Sequence, residues 1–151
     1  MKYVKLSTLL VFISVTAFAQ TEITNLNKSS LPKSIKYTGN LVNAIRYQDK
    51  LGDHIVITTE TGEIKSKNSE DDDSKDAALY AYHYLIKNNS PALTWTVTDH
   101  VNDCQLDIKA NYIKDTFRLT DLDKDGKSEI WLMYTTGCRG DVSPNSLKII
   151  M

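Results

Sequence analysis

The sequence predicts an all-β or nearly all-β fold, an antiparallel meander of short strands joined by hairpins. Short runs rich in β-branched and aromatic side chains recur along the chain, and Asn, Asp, Gly or Pro bounds each of them. Several runs alternate between apolar and polar residues with the period of two that is typical of a half-buried strand. No stretch shows a convincing period of 3.6, so helices are not expected to build the core.

The predicted strands follow one another with short turns between them. Residues 41–47 show a period-2 pattern, and the polar run after them is expected to turn the chain into a second strand at 54–60. A charged loop is predicted at 65–76, because this segment has too little apolar surface to pack. Further strands are predicted at 79–86, 93–99, 105–113, 116–120, 130–134 and 147–151. One local alternative is a helical turn at the start of 74–86.

The N-terminus has the pattern of a secretory signal peptide. Lys2 and Lys5 precede an apolar run at 6–18, and Ala17-Phe18-Ala19 suits the small-x-small cleavage site. The run is too short for a membrane span, which needs roughly 20 residues, and no second long apolar run follows. We therefore expect an exported protein of the periplasm, cell surface or medium, without a transmembrane segment in the mature chain. The expected parts are a signal peptide at 1–19, a polar leader at 20–34 and a single β-rich domain at 35–151.

The charge balance argues against nucleic acid as a partner. Removal of Lys2 and Lys5 with the signal peptide lowers the number of basic residues from 18 to 16, against 19 acidic ones. A mature chain that is slightly acidic offers no electrostatic footprint for phosphate backbones.

Two cysteines lie in the exported part of the chain, where oxidation is permitted. A bridge from Cys104 to Cys138 would close a loop of about 35 residues and stabilise the fold by roughly 3 to 4 kcal/mol in the chain-entropy model. The alternative is a pair of buried free thiols.

Alternate acidic residues ending in Asp-Gly precede the predicted strand at 130–134. Calcium takes six to eight oxygen ligands, and such a run presents three carboxylates on one side of a loop while glycine permits the sharp turn. Strands rather than helices are predicted on both sides, so an EF-hand is not expected. The predicted calcium ligands are Asp121, Asp123, Asp125, the carbonyl of Lys127, and Glu129. The alternative is a hairpin turn that uses Asp and Gly for backbone reasons alone.

A second group of candidate residues surrounds the predicted disulfide. Arg139 and Asp141 flank a glycine next to Cys138, and the bridge would bring Asp103 near both of them. Loops of this kind often carry binding groups, so we predict a binding site made of these three residues. Salt bridges that merely fix the loop are the alternative.

Aromatic residues mark one predicted strand. Tyr80, Tyr82 and Tyr84 alternate along 79–86 and therefore share one face. Such a stripe either packs across neighbouring strands or stacks on sugar rings, and packing is the expected role. The chain's three histidines show no spacing typical of a zinc site.

Several unusual segments follow one another in the second half of the chain, namely Ala81-Tyr82-His83-Tyr84, Trp95, Asp103-Cys104, residues 120–126, residues 138–144 and residues 147–151. Their combination resembles a family of small exported bacterial proteins named for surface polysaccharide biosynthesis. The resemblance covers residues 43–151 and implies an envelope role connected with lipopolysaccharide or other surface glycans. It implies no catalytic residues. Because members of that family continue beyond the last strand, it also implies that this chain lacks a final hairpin.

Two classes of function follow from the sequence. The preferred hypothesis is a non-catalytic envelope domain that binds a surface glycan or an envelope protein, because no nucleophile-base pair, phosphate loop or cofactor fingerprint appears. The alternative is a small carbohydrate-active enzyme that uses Asp103, Asp107 or Asp141 together with Arg139. Calcium is the only cofactor that the sequence indicates, and it does not indicate an oligomeric state.

Overall fold

The computed structural model describes residues 22–67 and 73–151, which form ten strands and no helix. The signal peptide predicted at 1–19 and the centre of the charged loop, residues 68–72, lie outside the described residues. The strands are β1 (Ile23–Asn25), β2 (Asn40–Asp49), β3 (Gly52–Glu60), β4 (Ile64–Lys65), β5 (Lys75–Lys87), β6 (Ser90–Cys104), β7 (Asp107–Tyr112), β8 (Arg118–Thr120), β9 (Glu129–Arg139) and β10 (Ser146–Ile150).

The all-β fold predicted from the sequence is confirmed, and every strand pair is antiparallel. The helical turn considered at the start of 74–86 is wrong, because that segment belongs to β5. Alternation decides the outcome there: Ala77, Leu79 and Ala81 all point into the core, which a helix could not achieve at a spacing of two. No helix in the described part of the chain has the length and apolarity needed to span a membrane.

The strands form two sheets. In the large sheet the order is β1-β2-β3-β5, with β4 pairing with the start of β5 and β6 pairing along its other edge. In the small sheet β9 is central, β10 pairs with one edge, and β7 and β8 pair with successive parts of the other. Tight hairpins join β2 to β3 and β5 to β6, as the alternating runs predicted.

The two sheets pack face to face over a continuous apolar core. One part of it joins Ile45, Val56 and Ala81 of the large sheet to Ile130 and Leu132 of the small sheet. A second part surrounds the buried end of the disulfide and is formed by Ala77, Leu79, Cys104, Ile108, Ala110 and Tyr134. Two sheets that face each other across an apolar core form the arrangement of a β-sandwich.

The opposite face of the large sheet is covered by the segment between β1 and β2. Leu31 and Ile35 are buried there against Ile55, Ile57 and the tyrosines of β5. The hydroxyl of Tyr82 accepts the N–H of Thr38 at 3.0 Å, and that of Tyr84 donates to the carbonyl of Lys36 at 2.8 Å. The packing role expected for the tyrosine stripe is therefore confirmed for these two side chains. The segment 20–34, which its polarity indicated to be a leader, contains β1 and the buried Leu31.

Candidate binding and metal sites

The Asp-rich loop connects β8 to β9, which pair at Thr120 and Glu129. Lys124 and Gly126 have φ values of 60° and 83°, and these left-handed residues fold the loop back on itself. Asp121, Asp123 and Glu129 each present a carboxylate oxygen, and the three oxygens all lie within 4.8 Å of one another. This group could hold a metal ion.

Asp125, another predicted calcium ligand, has partners outside the three-carboxylate group. The carboxylate of Asp125 accepts the backbone N–H of Lys127 at 2.8 Å and pairs with its Nζ, and these bonds lower the pKa of Asp125. Asp125 is therefore turned toward Lys127 rather than into the three-carboxylate group. The hydroxyl of Thr120 donates to Glu129 at 2.6 Å and is the main cause that lowers the pKa of that carboxyl, so Glu129 is held ionised and in place.

The loop rests on the turn between β2 and β3. The backbone N–H of Lys50 donates to the carbonyl of Gly126 at 2.8 Å, and its Nζ donates to the carbonyl of Asp125 at 3.3 Å. The N–H of Ser128 donates to Asp49 Oδ2 at 2.9 Å. A Cβ on Gly126 would lie 3.3 Å from the Lys50 side chain, so the close approach favours glycine as well as the positive φ.

A row of rings that the sequence did not reveal crosses the inner face of the large sheet. The register places Tyr47 opposite His54, and His83 opposite Trp95. His54 Nδ1 lies 3.0 Å from His83 Nε2, and the Tyr47 hydroxyl lies 3.2 Å from the same nitrogen. Ring centroids along the row are 4.8, 5.0 and 5.2 Å apart. Both histidines are buried, with exposed fractions of 2% and 8%.

The outer nitrogens of the two histidines also have partners. His54 Nε2 lies 2.8 Å from Asp49 Oδ1, and His83 Nδ1 contacts the hydroxyl of Thr94. Burial and the neighbouring His54 lower the pKa of His83 to about 4, so this ring is neutral at neutral pH. Burial opposes ionisation of Asp49, but hydrogen bonds from Ser128, Leu51 and His54 outweigh it and lower the pKa of Asp49.

Only one local signal for this row was present in the sequence. The short turn after the first predicted strand places Tyr47 opposite His54 once both strands are assigned. The position of His83 depends on how β3 and β5 pair, and these strands are separated by the charged loop and β4. Spacing along the chain therefore could not bring the histidines together.

At the other end of the sandwich, the predicted disulfide is confirmed. Cys104 and Cys138 are bridged with a Cα–Cα distance of 5.6 Å, and the bond links β6 of the large sheet to β9 of the small one. Cys104 is buried and Cys138 is exposed, so one end of the bond lies in the core and the other at the surface.

Two of the three polar residues predicted as a binding site near this bond have other contacts. Asp103 accepts a hydrogen bond from the Ser66 hydroxyl, and its backbone N–H donates to Asp76. The Arg139 guanidinium donates to the carbonyl of Ser143. No ion pair within 22–67 and 73–151 joins Arg139 to Asp103 or Asp141. Asp107, the further carboxylate of the enzyme hypothesis, lies opposite Arg139 in the register of β7 and β9.

An open cleft lies between the sheets, at the end away from the turn of β2 and β3. Its volume is about 780 Å³, within the range of roughly 300 to 1,000 Å³ of small-molecule pockets. Apolar walls come mainly from Ile45, Phe117, Leu119, Leu132 and Met133. Polar groups enter the cleft from both sheets, from Asn43, Thr58, Glu60, Asn111 and Arg118.

Glu60 organises one wall of this cleft. Its Oε1 accepts the backbone N–H of Tyr112 at 2.6 Å, and its Oε2 accepts the side-chain amide of Asn111 at 2.9 Å. These bonds run from β3 to β7 and hold the two sheets at a fixed separation beside the cavity. Because the cleft forms only when the sheets pack, sequence reasoning had no signal from which to predict it.

Comparisons of the chain with family models, curated proteins and solved structures find no match. The resemblance to the surface-polysaccharide family therefore stays a prediction, and the function is argued from the sites themselves.

Proposed function

We propose that this protein is an exported domain of the cell envelope that binds a surface glycan in the cleft between its two sheets. The cleft carries the proposal because it combines the two surfaces that a sugar ring needs. Pyranose rings have apolar faces that pack on aromatic and aliphatic side chains, here Phe117 and Leu119. Their hydroxyls both donate and accept, and so do the amides of Asn43 and Asn111 at the polar side of the cleft.

The rigidity of the cleft favours binding. Both carboxylate oxygens of Glu60 accept hydrogen bonds from β7, so this side chain supports the wall of the cleft. Walls that are already in place cost little ordering free energy when a ligand enters. The export signal and the resemblance to envelope proteins supply the expected class of ligand, a segment of surface polysaccharide.

Calcium is part of the same proposal. Three carboxylates that converge on one point repel one another, and a hard divalent cation with oxygen ligands removes that repulsion. We assign the Asp121, Asp123 and Glu129 group to calcium, bound with the weak affinity that is typical of extracellular modules.

The test is a glycan-array screen of the mature protein, followed by calorimetry on the best ligand. Arg118→Ala removes a charged donor at the cleft, and Phe117→Leu removes the aromatic face but keeps an apolar side chain. Loss of a charge-assisted hydrogen bond costs about 1.5 to 3 kcal/mol, so Arg118→Ala should weaken binding about tenfold or more. Arg139→Ala, at the disulfide end, is the matched control and should bind like the wild type.

Other results would redirect the assignment. Loss of binding in Arg139→Ala, with both cleft variants unaffected, would place the ligand at Asp103, Arg139 and Asp141 instead. Release of shortened glycan by the wild type, stopped by Asp141→Asn, would favour the enzyme hypothesis. Absence of binding to every glycan on the array would reject the proposal.

A further inference from the structure

Three donor atoms converge in the buried row of rings, and neither glycan nor calcium binding uses them. They are His54 Nδ1, His83 Nε2 and the Tyr47 hydroxyl, from β3, β5 and β2 respectively. Because each comes from a different strand, the pairing of the whole large sheet fixes their arrangement. What they can bind depends on which nitrogens carry hydrogen.

His54 presents a lone pair toward His83. Its other nitrogen, Nε2, faces Asp49, whose two oxygens also accept the backbone N–H groups of Leu51 at 2.7 Å and Ser128 at 2.9 Å. Because both oxygens of Asp49 accept backbone N–H groups, this carboxylate acts as the acceptor, and the hydrogen between the two side chains is assigned to His54 Nε2. A neutral imidazole has one hydrogen, which leaves Nδ1 with a free lone pair.

His83 presents a lone pair toward His54 for a similar reason. The Thr94 hydroxyl lies 3.0 Å from the carbonyl of His83, and a carbonyl can only accept. The register of β5 and β6 shifts at this point and leaves Thr94 without a partner in the ladder, so its hydroxyl replaces the missing bond. If that hydrogen is directed at the carbonyl, His83 Nδ1, which also contacts the hydroxyl, donates to Thr94, and Nε2 holds the lone pair.

The Tyr47 hydroxyl can donate to His83 Nε2 at 3.2 Å, but the lone pairs of the two histidines still face each other across 3.0 Å, and a cation between them removes their repulsion. We propose that His54, His83 and Tyr47 form a binding site for one divalent transition metal ion of the kind that prefers imidazole, Zn²⁺ or Cu²⁺. Ligand nitrogens lie about 2.0 to 2.1 Å from zinc, so the two rings need to separate only slightly to admit the ion. The nitrogen donors set this site apart from the Asp-rich loop, which offers carboxylate oxygens alone.

The surroundings of the two rings match those of metal ligands. Metal-bound histidines nearly always donate their second N–H to a carboxylate, a carbonyl or water, and these outer partners hold the ring in place. Asp49 has this role for His54, and Thr94 for His83. Thr94 is exposed, so the site lies one residue away from solvent.

The experiment is a titration of metal-free mature protein with Co²⁺, whose visible absorption reports nitrogen ligands, and with Zn²⁺ by calorimetry. One equivalent of each should bind, and Cu²⁺ should quench Trp95, whose ring centroid lies 5.2 Å from that of His83. His83→Gln should weaken binding at least a hundredfold. Thr94→Val keeps the shape of the side chain but removes the outer partner, and should weaken binding about 10- to 100-fold.

Matched controls separate this site from others. His100→Gln changes an exposed histidine on β6, and Asp123→Asn changes the Asp-rich loop; both should bind zinc like the wild type. Loss of zinc binding in Asp123→Asn alone would move the ion to the loop and overturn the proposal. If His83→Gln does not fold, Thr94→Val decides, and unchanged affinity there overturns the proposal.

Nitrogen-15 NMR of the imidazoles gives an independent decision. On addition of zinc, the resonances of His54 Nδ1 and His83 Nε2 should shift together, with no hydrogen on either atom. A hydrogen that remains on His83 Nε2 at saturating zinc would show that Thr94 donates to His83 and that hydrogen bonds alone fill the gap. That result, or no binding of any of the three metals, overturns the proposal.

Discussion

Asp49 joins three parts of the molecule through one carboxylate. It closes the turn between β2 and β3 by accepting the N–H of Leu51, orients the ring of His54, and anchors the Asp-rich loop through the N–H of Ser128. Its side chain is only 4% exposed, so each of these bonds is protected from water. The Asp-rich loop and the buried His54 are therefore bonded to the same residue, Asp49.

Asp99 is a second carboxylate whose contacts span the sandwich. It pairs with Lys148 and so connects β6 of the large sheet to β10 of the small sheet. Burial raises the pKa of Asp99, but the bonds from Lys148, the N–H of His100 and the Tyr134 hydroxyl outweigh it, and the net pKa is lowered. A lowered folded-state pKa means that the stabilisation is full above the unfolded value of about 4 and is lost as pH falls through the folded value.

We predict that Asp99→Asn lowers the free energy of unfolding by about 1 kcal/mol at pH 7, because Lys148 is half exposed and solvent screens the pair. The difference from the wild type should shrink as pH falls below the unfolded value of about 4 and on through the lower folded-state pKa. Urea unfolding at neutral and at acidic pH measures this difference in unfolding free energy. Asp107→Asn, at an exposed carboxylate of β7, is the control. A difference that grows on acidification would contradict the assigned direction.

At the scale of elements, the Asp-rich loop is a hairpin connection in which three carboxylates already lie close enough together to coordinate one cation. Glu129 accepts the N–H of Leu122 at 3.0 Å, Asp121 accepts that of Gly126 at 3.2 Å, and Asp123 accepts that of Asp125 at 3.1 Å. Backbone bonds therefore hold all three carboxylates. Contacts from Lys50 and Asp49 fix the loop from outside. Binding of an ion therefore requires little reordering of the chain.

We predict that calcium binds this loop with a Kd of about 10⁻⁴ to 10⁻³ M and raises the melting temperature by mass action. Calorimetry and thermal unfolding at several millimolar calcium measure both effects. Asp123→Asn should abolish the shift, whereas Lys124→Gln, on an exposed side chain of the same loop, should retain it. No heat and no melting shift would reject calcium but leave the hairpin turn intact.

At the scale of the whole molecule, local patterns proved sufficient for most strands and insufficient for the sites. Alternation located β2 and β3, and short runs of β-branched and aromatic residues located β5 to β10, because both signals depend only on neighbouring residues. Neither signal revealed β1 or β4, which have three and two residues. The disulfide followed from export and an even number of cysteines, and the three-carboxylate group followed from spacing within one loop. The histidine row and the cleft depend on register and on packing between sheets, which spacing does not encode.

The disulfide cross-links the two sheets of the sandwich. The sheets meet through the apolar core, through Glu60 beside the cleft and through Asp99 near β10, and the Cys104–Cys138 bond adds a covalent cross-link to the chain connections between them. It closes a loop of about 35 residues, so the unfolded chain without it gains conformational entropy worth roughly 3 to 4 kcal/mol.

We predict that the double variant Cys104→Ala/Cys138→Ala remains folded but loses about 3 kcal/mol of unfolding free energy. Its urea m-value should rise, because the unfolded chain without the cross-link exposes more surface. Urea unfolding of wild type and variant under identical conditions gives both quantities. Loss of less than about 1 kcal/mol with an unchanged m-value would mean that the bond is dispensable, and that the core between the sheets holds the disulfide end without it. Neither cysteine lines the cleft, so glycan affinity should be equal in both proteins.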